Sequence, residues 1–160
     1  MRRIATSIVF LAISCRPYPA AATDFAAAIK ALEEAKHEVK WDAKTAVVAD
    51  VTCDGVPDTL VVGYEKDGVW LGVVPGPNAG KSAKLTTTRF SVGKQTQSSF
   101  CAVPVRIETD PIECEDEEFG ALPGCKRIKG CLAFSLVDDS CDSFHFYWDS
   151  SRKKLTWWRR

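Results

Sequence analysis

Nine consecutive residues, Asp50-Val51-Thr52-Cys53-Asp54-Gly55-Val56-Pro57-Asp58, put oxygen-bearing side chains at loop positions 1, 3, 5 and 9 and glycine at position 6. Alternating carboxylates and a hydroxyl on a short loop can converge on one hard cation, and Ca²⁺ takes such oxygens. Val56, at position 7, can add its backbone carbonyl, and Gly55 permits the sharp turn. The same residues have a simpler use: aspartates in turns accept hydrogen bonds from backbone amides with no metal involved.

The flanking sequence decides which kind of loop this is. Position 12 is Val61, where an EF-hand needs a bidentate glutamate and then a second helix. Thr59-Leu60-Val61-Val62 reads instead as a strand, so an EF-hand is disfavoured. The strand–loop–strand pattern of residues 45–74 resembles the FG-GAP calcium loops of integrin alpha-chain propellers and related bacterial secreted repeats. That resemblance implies side-chain ligands from Asp50, Thr52, Asp54 and Asp58, a carbonyl ligand from Val56, and a structural Ca²⁺. Two departures stand out: Cys53 lies where those loops usually carry glycine, and a single copy cannot build a propeller.

Seven cysteines are encoded. Cys15 lies in the N-terminal stretch, leaving Cys53, Cys101, Cys114, Cys125, Cys131 and Cys141. An even set in an exported chain of this size suggests three disulfides. The local closures Cys131–Cys141 and Cys114–Cys125 would leave Cys53–Cys101, although sequence alone cannot choose among the connectivities. A zinc site is disfavoured, since there is no CxxC pair and only two histidines are present.

Other chemistry-bearing stretches are weaker. Gly76-Pro77-Asn78-Ala79-Gly80-Lys81-Ser82 imitates a phosphate loop but is one residue short, and the threonines at 86–88 are poor helix formers. Seven acids and no Lys or Arg lie between Glu108 and Glu118. Such a run reads as a solvated loop, or as an acidic finger for a basic cleft. In Phe144-His145-Phe146-Tyr147-Trp148, strand alternation puts Phe144, Phe146 and Trp148 on one side, with His145 and Tyr147 on the other. His145 with Asp142 would serve a hydrolase, yet no GxSxG or other nucleophile motif accompanies it. The C-terminal Arg152–Arg160 stretch mixes basic residues with Trp157 and Trp158, which reads as a terminal strand with charged residues outside.

These residues need a scaffold. Thr23 and Asp24 suit a helix N-cap, and Phe25, Ile29, Leu32 and Val39 recur at roughly helical spacing, predicting one amphipathic helix over about residues 24–39. Strands are predicted at 46–49, 59–64, 69–74, 88–92, 102–107, 132–137, 143–148 and 154–158, with turns at 65–68 and 149–152. Residues 75–84 read as a loop. The fold class is α+β: an N-terminal helix packed on an antiparallel sheet and stabilised by disulfides.

Met1-Arg2-Arg3, the apolar run Ile4–Ser14 and Ala20-Ala21-Ala22 read as a secretory signal peptide over 1–22, followed by one exported domain over 23–160. Leu11-Ala12-Ile13-Ser14-Cys15 also resembles a bacterial lipobox, which would anchor the chain by a lipid on Cys15. No stretch is long enough for a transmembrane helix. Loss of 1–22 removes three arginines and no acids, so 18 basic residues face 21 acidic ones, a net charge of −3. That balance argues against nucleic-acid binding through bulk basicity. The expected function is therefore a periplasmic or secreted, non-catalytic binding module for a protein or envelope partner, of inhibitor or immunity type in its specific form. A structural envelope protein ranks next, and a small hydrolase last.

Overall fold

From Lys40 onward the sequence favours strands, some alternating and some continuously apolar, and among the described residues eleven strands follow one helix. The computed structural model describes residues 25–77, 84–93, 96–118 and 120–159. The leader with Cys15, the caps Thr23 and Asp24, and residues 78–82 of the phosphate-loop look-alike lie outside them. Helix α1 spans Phe25–Ala35, and strands follow at Lys40–Ala49 (β1), Asp58–Glu65 (β2), Gly68–Val74 (β3), Thr86–Val92 (β4) and Ser99–Phe100 (β5). The second half contributes Arg106–Pro111 (β6), Glu115–Asp116 (β7), Gly120–Ala121 (β8), Leu132–Val137 (β9), Phe144–Asp149 (β10) and Lys154–Trp158 (β11).

The described residues are mostly β with one short helix and three disulfides. The single sheet of the sequence reading is replaced by two larger ones, β1-β2-β3-β4-β5 and β11-β10-β9-β6, plus the small β7-β8 hairpin. All ladders are antiparallel except the short parallel pair β4/β5. The two larger sheets share one core. Leu60 and Val62 from β2, Val69, Leu71 and Val73 from β3, and Phe90 from β4 meet Phe134, Leu136, Phe144 and Phe146 of the second sheet. Phe90 lies 4.7 Å from Phe144, ring to ring, and Phe100 lies equally close to it, so aromatic edges and faces knit the layers together.

β2 and β3 are buried on nearly every residue, which explains their unbroken apolar reading in Leu60-Val61-Val62. Their face away from the shared core is covered by Leu32, Val39 and Trp41. A side chain at Gly72 would collide with Leu32, and one at Gly63 with Val39 and Trp41. Those two glycines exist for close approach.

The helix is shorter than its periodicity suggested. It ends at Ala35, and Val39 leaves it for a short turn because the backbone from Lys40 pairs with Tyr64 instead. The strand expected at 102–107 moves to 106–111, where Arg106 through Pro111 align with Val137 through Leu132. β1 begins six residues earlier than predicted, across an irregularity between Asp42 and Val47 where Thr45 Oγ1 accepts the Val62 amide at 2.9 Å. The tight turn at Lys66–Asp67 and the hairpins over 132–158 match expectation.

Two of the three guessed bridges are corrected. The pairs are Cys53–Cys131, Cys101–Cys141 and Cys114–Cys125. Cys131 and Cys141 are close in sequence, but all of β9 runs between them, about 20 Å of extended chain, so they sit at opposite ends of a strand and cannot meet. Three disulfides fit an oxidising, non-cytoplasmic setting. Among the described residues no helix is long and apolar enough to cross a membrane.

Candidate functional site

The loop between β1 and β2 is built by its own aspartates. Asp50 accepts the Asp54 amide on Oδ1 at 3.2 Å and the Gly55 amide on Oδ2 at 2.9 Å. Asp54 Oδ1 accepts the Val56 amide at 2.8 Å. Asp58, fully buried, accepts the Val51 and Thr52 amides on Oδ2, each at 3.0 Å. Cys53 and Gly55 both take the left-handed region, with φ of 56° and 84°, so the chain coils tightly while residues 50, 52 and 54 keep one hand. Cys53 holds that conformation without being glycine, and its disulfide to Cys131 ties it down. The Leu132 amide, bonded to the Asp50 carbonyl at 2.9 Å, fixes the same junction.

Two oxygens in this loop are left over. Asp58 Oδ1 and Thr52 Oγ1 are both buried and lack a hydrogen-bond partner. The Thr52 hydroxyl lies near enough to favour the ionised Asp58 carboxyl, without the full geometry of a hydrogen bond. Burial pushes the Asp58 carboxyl above the usual carboxylate range, and the Val51 and Thr52 amides only partly offset it. Among the described residues, no three His, Cys, Asp or Glu gather as they would around a metal. The five residues singled out as ligands thus share one loop, with their carboxylates engaged first by backbone amides.

The outer face of the second sheet holds a feature that sequence reading missed. Register places Glu108 beside Ser135, Ser135 beside His145, and His145 beside Trp158. Ser135 Oγ lies 3.0 Å from His145 Nδ1, and the imidazole stacks on Trp158 with ring centroids 4.4 Å apart. Ser135, His145, Asp110 and Glu113 line a cavity of about 260 Å³, which Pro111 and Leu122 also border. The Tyr147 hydroxyl donates to the Pro123 carbonyl at 3.0 Å, holding the chain after Leu122 to the sheet. Asp142, the acid expected beside His145, is exposed on the loop before β10. Only the strand pairing could have revealed Ser135, because its spacing to His145 matches no nucleophile motif.

The acidic run divides in two. Glu108 and Asp110 lie on β6, an edge strand, and Arg106 pairs with Glu108 and with Asp139. Charge on an exposed edge also blocks pairing with other strands. Glu115 and Asp116 form β7 of the small hairpin, which Cys114–Cys125 closes. Glu113, Glu115, Glu117 and Glu118 are exposed and make no ion pair among the described residues.

Comparison of the chain with protein-family models, curated proteins and solved structures found no match.

Proposed function

We propose that this protein is an exported, non-catalytic binding module of the periplasm or the extracellular space, which presents the acidic hairpin to a protein or envelope partner. The observation that carries the reading is the hairpin itself: Glu115, Glu117 and Glu118 without cationic partners among the described residues, clamped by Cys114–Cys125 and seated on the sheet through Tyr147. Rigid display of unpaired charge favours electrostatic docking on a basic surface, as an inhibitor or immunity protein would use. The test is a pull-down from envelope extracts with wild type and with Glu115→Lys/Glu117→Lys/Glu118→Lys. A partner held by wild type, released by salt and lost by the triple variant supports the reading; a partner that binds both forms equally, or none, refutes it.

In this proposal the β1–β2 loop holds one structural Ca²⁺, with Asp50, Thr52, Asp54 and Asp58 as side-chain ligands and the Val56 carbonyl completing the set. Support comes from the orphaned oxygens of Asp58 and Thr52, since a buried carboxylate oxygen without a partner is costly and a cation would satisfy it. Amide bonds to Asp50 and Asp54 do not compete, because each oxygen has a second lone pair. Ca²⁺ at 100-fold excess over its dissociation constant should stabilise the fold by about 2.7 kcal/mol. An unfolding midpoint that does not respond to Ca²⁺ against chelator, or a response that Asp54→Ala retains in full, rules the ion out.

A small hydrolase is the second reading, and the Ser135–His145 hydrogen bond is the one observation in its favour. It predicts esterase activity that His145→Ala abolishes.

A further inference from the structure

The two sheets do not close along their whole length. Where β3 and β4 face β10 and β11, they enclose a cavity of about 780 Å³, within the range of small-molecule sites. Its walls follow from strand alternation. The inward face of β4 and its approach reads Phe90, Thr88, Thr86, Lys84 from the core outward; β11 contributes Trp157 and Leu155, and the turn before it Lys153. Opposite them in register stand Leu71 and Val73 on β3, and Phe146 and Trp148 on β10. Both sheets thus grade in the same direction, from aromatic at the base to lysine at the mouth.

This gradient is not what a core requires. Threonine at two inward positions of β4 and a wall of half-buried tryptophans leave apolar surface facing open volume. Lys84, Lys153 and Lys154 line the opening, and none has a carboxylate partner among the described residues. Asp54 is the one acid in the lining, and its Oδ1 is engaged by the Val56 amide. From Trp157 to Lys153 the wall runs about 13 Å, the length of a medium-chain acyl group.

We infer that this cleft binds one amphiphilic anion, with its apolar tail against Phe146 and Trp157 and its carboxylate or phosphate among the lysines at the mouth. The inference goes beyond the proposed partner docking, which uses the opposite face of the second sheet, and it does not depend on Ca²⁺.

The experiment uses the oxidised mature protein in chelator buffer with anilinonaphthalene sulfonate as the fluorescent probe. Laurate, lysophosphatidylglycerol and uncharged dodecanol serve as competitors. The expected result is saturable one-to-one probe binding, displaced by either anion at least about tenfold more effectively than by dodecanol; the tighter of the two identifies a free carboxylate or a lipid headgroup as the source. Lys153→Ala/Lys154→Ala alters only exposed residues, so it should keep the unfolding midpoint while weakening the anion about tenfold, the scale of a lost charge-assisted contact discounted for screening. The inference is overturned if the probe does not bind, if neither anion displaces it, if dodecanol competes equally, or if the double lysine variant binds laurate as wild type does.

Discussion

Asp138 offers the sharpest test of how this fold is held. Its buried carboxylate accepts four backbone amides: Cys101 at 2.6 Å and Ala102 at 3.1 Å on Oδ2, with Ser140 at 3.0 Å and Cys141 at 2.9 Å on Oδ1. Both halves of the Cys101–Cys141 bridge therefore hang on one side chain. A hydrogen bond to a charged group contributes about 1.5–3 kcal/mol. Two oxygens serve four donors here, and water can enter the space that alanine would leave. We therefore expect Asp138→Ala to cost roughly 3–4 kcal/mol, well below the simple sum over four bonds. For a chain of this length that lowers the thermal midpoint by about 10–15 °C. Asp138→Asn keeps one acceptor oxygen and should fall between.

The dependence on pH has a definite sign. Burial pushes the Asp138 carboxyl up, but its four amide donors together outweigh this and hold it below the usual carboxylate range. Its stabilisation is then complete above the unfolded value of about 3.9 and fades as the pH drops through the lower folded value. The gap between wild type and Asp138→Asn should be constant from neutrality to about pH 4 and shrink below it. Differential scanning calorimetry across that range, with mass spectrometry confirming that all three bridges are formed, measures both effects. A midpoint for Asp138→Ala within about 3 °C of wild type, bridges intact, would refute the reasoning.

Gly124 has φ of 72°, and a Cβ there would collide with the Asp149 carboxyl and Ser151 Oγ, which cap the β10–β11 turn. Gly124→Ala should cost roughly 2–4 kcal/mol. Gly93→Ala, at φ of 70° but facing open space, should cost only about 1–2 kcal/mol; equal losses by chemical denaturation would remove the clash from the account. Gly72→Ala should destabilise by about 1–3 kcal/mol through Leu32 and Trp41. In a double-mutant cycle, Leu32→Ala should relieve part of that cost, and strict additivity would mean that the two sites do not touch.

Much of the second sheet was legible from sequence because its strands alternate cleanly between faces. Leu132–Val137 and Lys154–Trp158 were placed to the residue. β2 and β3 were legible too, as continuous apolar runs bounded by Pro57 and by the Lys66–Asp67 turn. What escaped was set by contacts distant in sequence. β5 is two residues long, and its parallel pairing with β4 has no local signature. The cysteine partners depended on which end of β9 each one occupies. The sequence offered the loop aspartates two uses, a cation or backbone amides; which amides Asp50, Asp54 and Asp58 accept emerges only once the loop's dihedral angles are known. The cleft was hidden for a related reason. Each row, Thr86–Thr88–Phe90 or Leu155–Trp157, reads as an ordinary strand face until the opposing sheet fails to cover it.

The two long bridges carry a consequence for the order of events in synthesis. Cys53 and Cys101 belong to the loops of the first sheet, while Cys131 and Cys141 sit at the two ends of β9. A chain emerging from its N-terminus exposes every strand of the first sheet by residue 100, long before either rivet can be set. Both rivets then close on a single strand of the second sheet. Until that strand arrives, neither Cys53 nor Cys101 has met its native partner, and a bond between the two would pin the first sheet's loops in a non-native pairing. Oxidative folding of this protein should therefore be governed by how quickly β9 docks relative to how quickly thiols oxidise.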